Sequence, residues 1–281
     1  MNKAQWITAG IAILAVIGIY AATEKQIFGP SSVKASPMEV KPAAALSVDS
    51  ILSQAKERLS PEQVTRLNFL EHSISRGDVK DQKIHIYHQL SRFWLDSARI
   101  FEPYAWYTAE AARLENSEKS LTFAAHLFLN NLVDQKNPDV KHWEAFQAKD
   151  LFERSLKLNA QNDSSKIGLG AVYLFGEIAM PMQGISMIRE VADRDSNNVY
   201  AQMTLGQASL VSGQLEKGLA RFKRVVRIEP NNWEAMIRVA ETEEQMGNKE
   251  EAINWYQKTL PLIKIAEVKQ EVEARIAELK K

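Results

Sequence analysis

Apolar residues fall into three regimes along this chain. From Trp6 to Ala22 (WITAGIAILAVIGIYAA) they run without a charge, and from about Ser47 onward they recur at the three- and four-residue spacing of amphipathic helices. Between these stretches, Thr23 to Leu46 shows little periodicity. It carries Pro30, Pro37 and Pro42, which forbid a continuous helix and favour an extended spacer. No stretch sustains the alternation of a strand, so none is predicted. Ser60-Pro61-Glu62 marks a helix start, with a capping Ser and Pro in the first turn.

The uncharged run makes about 25 Å of helix, enough for a thin or locally thinned bilayer. Trp6 and Tyr20 lie near its ends, where amphipathic rings favour the interface. Cleavage after Ala21 or Ala22 would put Ile19 or Tyr20 at the −3 position, where a signal peptidase wants a small residue. The expectation is an uncleaved transmembrane signal-anchor over 6–22, behind a short tail over 1–5. Residues 23–46 then form a linker that holds a folded body off the membrane. Lys3 before the span and Lys25, Lys34 and Lys41 after it leave the charge balance undecided. The short amino tail with one Lys is that of a signal sequence, which places the body outside the cytoplasm.

Within the body, 199–232 repeats as 233–266. A shift of 34 residues brings Leu205 onto Val239, Gly206 onto Ala240, Gly213 onto Gly247, Leu219 onto Ile253, Phe222 onto Tyr256 and Val226 onto Leu260. Each unit reads as two amphipathic helices joined at a Gly. A small residue (Gly206 or Ala240) admits the second helix, and an aromatic one (Phe222 or Tyr256) fills the space between. Pro230-Asn231-Asn232 ends the unit. The pattern extends back through 163–198, two residues longer around Phe175–Gly184. It continues through 118–162, with about eleven extra residues around Lys136-Asn137-Pro138. Ile84–Ser97 and Pro103–Glu115 read as one more pair inside an irregular helical part over 47–117. Pro261 interrupts the last unit, so a stop is expected there. A final helix over 267–281 follows, whose stripe Val268, Val272, Ile276 and Leu279 would cap the exposed edge of the array.

The period, the small residue and the aromatic partner resemble the tetratricopeptide (TPR) repeat over roughly residues 80–266. That resemblance implies an all-α fold: a TPR-type α-solenoid, a right-handed superhelix of helix pairs, with an amino-terminal transmembrane helix and a carboxyl-terminal capping helix. It also implies a concave face lined by the first helix of each pair. In this register the face presents Ile167, Ala171, Leu174 and Phe175, then Tyr200, Met203, Thr204, Gln207 and Leu210, then Ile237, Arg238 and Glu241. A mostly apolar trough of this kind implies a protein or peptide partner. Repeat proteins that clamp a chaperone carboxyl terminus need Lys, Asn and Arg at fixed places. Here those places hold Ile167, Ala171, Thr204 and Glu234, and only Arg238 matches, so that clamp is not expected. Short-tailed bacterial membrane proteins with carboxyl-terminal repeats are similar. They imply a scaffold for envelope protein assembly at the cytoplasmic (inner) membrane. The alternative is self-association into a membrane-linked homo-oligomer.

Composition narrows the chemistry. With 35 Lys+Arg against 35 Asp+Glu the net charge is zero, which does not suit a general nucleic-acid binder. The absence of Cys removes disulfides, thiolate metal sites and cysteine nucleophiles. His85 and His88 stand three apart without a matching carboxylate, and His72, His126 and His142 are isolated, so no metal is expected. No nucleotide-binding or hydrolase motif occurs. Gly168-Leu169-Gly170 falls where the repeat itself asks for small residues. No catalytic site and no cofactor are expected.

Overall fold

The structure, a computed structural model, describes residues 46–76 and 79–281. Among the described residues every regular element is helical, and no helix is long and apolar enough to cross a membrane. The signal-anchor expected over 6–22 and the linker expected over 23–46 lie outside them, apart from Leu46.

Two helices open the body: α1 (Val48–Lys56) and α2 (Pro61–Arg76). Ser60 starts α2 by a reciprocal cap: its backbone N–H donates to Gln63 Oε1 at 2.9 Å, and Gln63 N–H donates to Ser60 Oγ at 3.3 Å. Next come α3 (Lys80–Arg92), prolonged by a π-helical turn over Phe93–Ala98, and α4 (Phe101–Glu115). These two pack along each other as a pair. Phe93 and Trp94 of the π turn are buried with Leu67 and Leu90, and α1 lies against α4.

Three further pairs follow: α5 (Glu118–Leu132) with α6 (Pro138–Leu158), α7 (Asp163–Phe175) with α8 (Pro181–Arg194), and α9 (Val199–Val211) with α10 (Leu215–Ile228). The last pair is α11 (Trp233–Gln245) with α12 (Lys249–Thr259). The first helices of three pairs begin on an Asn at the same place. Asn162, Asn198 and Asn232 each accept from the backbone N–H three residues on, at 2.8, 2.9 and 2.8 Å. Between α9 and α10, and again between α11 and α12, the chain turns through Gly213 (φ 72°) and Gly247 (φ 85°). This left-handed conformation is one that only Gly adopts freely. It lets Gln214 N–H reach Ser209 O (2.8 Å) and Asn248 N–H reach Glu243 O (2.9 Å).

The contact inside each pair explains the small-and-aromatic pattern. A Cβ added to Gly206 would lie 2.5 Å from the ring of Phe222, so the two helices approach only because that Cβ is missing. The extra residues of 118–162, expected around Lys136-Asn137-Pro138, are mostly helical. Two lengthen α5, two lengthen the connection, and seven add two turns to the start of α6. Asn137 caps those turns and Pro138 opens them. Trp143, carried on them, is buried edge-on to Phe128 and against Trp106 of α4. Burying a ring of that size offsets the ordering of two additional turns.

At the carboxyl end Pro261 stops α12. A 3-10 turn over Leu260–Leu262 follows, and the chain then re-enters a helix, α13 (Ala266–Leu279). Val272 and Ile276 of α13 are buried with Ala252, Tyr256 and Ile263, while Val268 and Leu279 cover the rim of the cluster. The charged remainder of α13 faces water, so the apolar edge of the array ends here.

Candidate partner-binding face

The first helices α5, α7, α9 and α11 contribute one continuous face, and its middle is closed. Ile167 is fully buried and Ala171 and Thr204 are 3 % and 7 % exposed, so these three belong to the packing and not to a trough. The reason lies in their neighbours. His126 of α5 stands edge-on to Phe152 (5.1 Å between ring centroids) and to Tyr200 of α9 (5.6 Å). Its Nε2 also meets Ser164 Oγ at 2.9 Å. Side chains from α5 and α9 thus join across α7, whose residues there are small. Gly168 is one of them: a Cβ at this position would lie 2.3 Å from Phe152 Cζ. Its role differs from that of Gly170, whose added Cβ would instead strike Ile188 within its own pair.

Burial holds His126 in its neutral form by lowering its pKa, and it pushes the Tyr200 hydroxyl up. Tyr200 and Leu174 are half-buried against the Ile167–Ile188 cluster, and Phe175 leans on the α5–α6 core. These four positions (Leu174, Phe175, Tyr200 and Ile167 beneath them) stabilise the stack and leave little for a ligand.

The remaining positions differ. Met203 and Gln207 on α9 are partly exposed and belong to no buried cluster; Leu210 leans on Gly218 of α10, and Ile237 on α11 packs on the Ala240–Tyr256 cluster while lining the hollow beyond. Arg238 is exposed and donates to Glu241 at 2.8 Å. Beyond them a hollow of about 510 Å³ opens between α11 and α13 over Tyr256. Its floor is Ile237, Val268 and Val272, and its walls carry Glu241, Glu244 and Glu271. Arg275 donates Nε to Glu244 at 3.0 Å, donates a second bond to the other oxygen of the same carboxylate, and reaches Glu278 at 2.6 Å. Glu244 also accepts from the Tyr256 hydroxyl at 3.3 Å, and burial raises the pKa of that phenol. With Arg275 tied to Glu244 and Arg238 to Glu241, Glu271 leaves the hollow with a net negative wall. Sequence reasoning missed this hollow because the α13 stripe reads as a cap, and its edge residues Val268 and Glu271 face α11 only once the stack is built.

A second hollow, about 680 Å³, lies between α3, α4 and α5, lined by His85, His88, Leu95, Tyr104, Glu115 and Phe123. His88 Nε2 meets Glu115 Oε1 at 2.7 Å and His85 Nε2 meets Gln89 Nε2 at 3.1 Å, so the two histidines use different neighbours. Among the described residues no three His, Asp or Glu side chains come together as a metal would need. Phe123 shares the register place of Gly168 and Thr204, and carrying the repeat back one unit identifies it as a residue of this face.

The paired helices, the 34-residue period and the shared caps define a tetratricopeptide-type array. Neither a family model nor a curated protein matches the chain. Among solved structures, MamA from Desulfovibrio magneticus RS-1 (its residues from 41 to the end) is 23% identical. The match covers 66% of this chain and 96% of that one, with a TM-score of 0.43. TTC0263, a TPR protein of Thermus thermophilus, is 14% identical over 72% of this chain and 98% of its own, at a TM-score of 0.47. YrrB, described as a TPR protein with an unusual peptide-binding site, is 17% identical over 73% and 97%, at 0.41. The assignment rests on the repeat geometry of the chain itself.

Proposed function

We propose that this protein is a membrane-tethered adaptor that holds a segment of a partner protein on the carboxyl-terminal half of its first-helix face. The observation that carries the reading is the partly exposed Met203 and Gln207 on α9, followed on α11 by Ile237, which lines the acid-walled hollow beside α13. Apolar contacts there, each worth roughly 1.5–3 kcal/mol when buried, support micromolar binding. The negative wall favours a partner segment with apolar anchors and a basic residue. Residues 6–22 anchor the chain in the bacterial cytoplasmic membrane, residues 23–46 space the body from it, and the body works outside the cytoplasm in the assembly of an envelope protein complex.

Met203→Glu and Ile237→Glu test the face; Met203 is partly exposed and belongs to no buried cluster, whereas Ile237 also packs on the Ala240–Tyr256 cluster, so helix content is measured for both. Loss of partner capture with unchanged helix content supports the reading; capture surviving both places the interface elsewhere. Protease added to spheroplasts degrades the body in this account, and protection would put it in the cytoplasm. Self-association is read by light scattering on the full chain: a mass that grows with concentration makes the partner a second copy.

A further inference from the structure

The opposite side of the array holds a second groove, between the second helices α8 and α10 and floored by α9. Its volume is about 640 Å³, and it gathers Arg189, Lys217, Arg221, Arg224 and Arg227 against one carboxylate, Asp193. Among the described residues none of these five cations forms an ion pair. Three are held in place by neutral acceptors. Arg221 donates to Gln202 Oε1 (2.8 Å), Arg224 to Ser196 Oγ (2.7 Å) and Lys217 to Gln214 Oε1 (2.6 Å). Like charges gathered this way cost free energy unless an anion joins them. Burial, then the neighbouring Arg189, lowers the pKa of Arg221, with Asp193 acting the other way and Arg224 adding to the repulsion.

We propose that this groove binds an acidic, extended segment of a partner protein, independently of the first-helix face. Lys217, Arg221 and Arg224 recur at four and three residues on one side of α10, and Arg227 follows one turn on. The row therefore spans about 15 Å. An extended peptide sets every second side chain on one side at about 6.8 Å, so three alternate carboxylates match that row. Arg221 is half-buried in the recess, where a narrow chain reaches it and a flat bilayer surface does not. No aromatic ring lines the groove, so it offers no stacking platform for nucleic-acid bases.

The test is fluorescence anisotropy of the full chain with a labelled decapeptide of alternating Glu and Ala, run beside a Lys/Ala decapeptide, oligothymidine and anionic phospholipid vesicles. The Glu peptide is expected to bind, more weakly as salt rises. Arg221→Gln with Arg224→Gln is expected to weaken it about tenfold or more. Lys217→Gln with Arg227→Gln, two exposed side chains outside the packing, keeps the test valid if the first pair disturbs folding; it too is expected to weaken binding. Met203→Glu leaves this binding unchanged, which separates the groove from the first-helix face. No binding of the Glu peptide, binding indifferent to both pairs, or tighter arginine-dependent binding of oligothymidine or vesicles would each overturn the proposal.

Discussion

Two stretches of one face are built from the same repeat positions and end up doing opposite things. Across α5, α7 and α9 the outward places are closed by Phe152, His126 and Tyr200 meeting over Gly168 and Ser164. Across α9 and α11 the places of the buried Ile167 and Ala171 hold Met203 and Gln207, then Ile237 and Glu241, which are partly exposed, and the last two line an acid-walled hollow beside α13. The repeat fixes where a side chain stands. Whether it meets a ligand or a neighbour depends on the size of the residues one repeat away. Small residues on α7 leave room for side chains of α5 and α9 to meet, whereas Arg238, at the register place of Gly168, is exposed and paired with Glu241 on its own helix.

The contrast can be broken first at its aromatic bridge. Phe152→Ala removes a fully buried ring that supports His126 and abuts Gly168, and is expected to cost about 3–5 kcal/mol in chemical denaturation. An effect no larger than that of an exposed position would mean the closed stretch is not the structural half. A buried acid at the start of α6 gives a pH-dependent version. Glu144 is fully buried, and desolvation raises its pKa to about 7, against a hydrogen bond from Asn131 and with help from Glu102. The unfolded chain releases this proton near 4.5 and the folded one near 7. Stability is therefore lost as pH rises between these values and stays lower above them. Glu144→Gln is expected to match the wild type at pH 4 and to exceed it by up to about 3 kcal/mol at pH 8. Equal melting curves at both pH values would contradict the burial argument.

The same Asn cap occurs in both stretches. Asn232 caps the open stretch, so Asn232→Ala should cost about 1 kcal/mol; Asn162 caps the closed one through the same bond and also donates its amide to Glu118 of α5 at 2.5 Å, so Asn162→Ala should cost more. Equal costs at the two sites would show that the bond to Glu118 adds nothing to the closed stretch. Smallest of all in stability is Met203→Glu, expected within about 0.5 kcal/mol of wild type while removing partner capture.

Much of this was legible along the chain. The pairing of 199–232 with 233–266 rests on residues that meet within one unit, such as Gly206 and Phe222, so a single period displays it. Pro261 announces its own break. The eleven extra residues of 118–162 could be counted but not placed. Their helical turns hold because Trp143 finds Trp106 on a preceding pair, a contact between elements that no local spacing encodes. The closure over α7 was hidden for the same reason, since His126 and Tyr200 lie two repeats apart and touch only after stacking. One trace of it lies in the sequence: Gly168 precedes the repeat's own small position, Gly170, by two residues and so does not serve the contact within the pair.

Photocrosslinking from position 203 in intact cells, with position 180 on the α7–α8 connection as the reference, asks whether a partner sits on the first helices. A discrete adduct from 203 that disappears with Ile237→Glu, and does not form from 180, is the predicted result. Adducts from 180 alone, or from 203 undiminished by Ile237→Glu, would contradict a partner seated on the first helices.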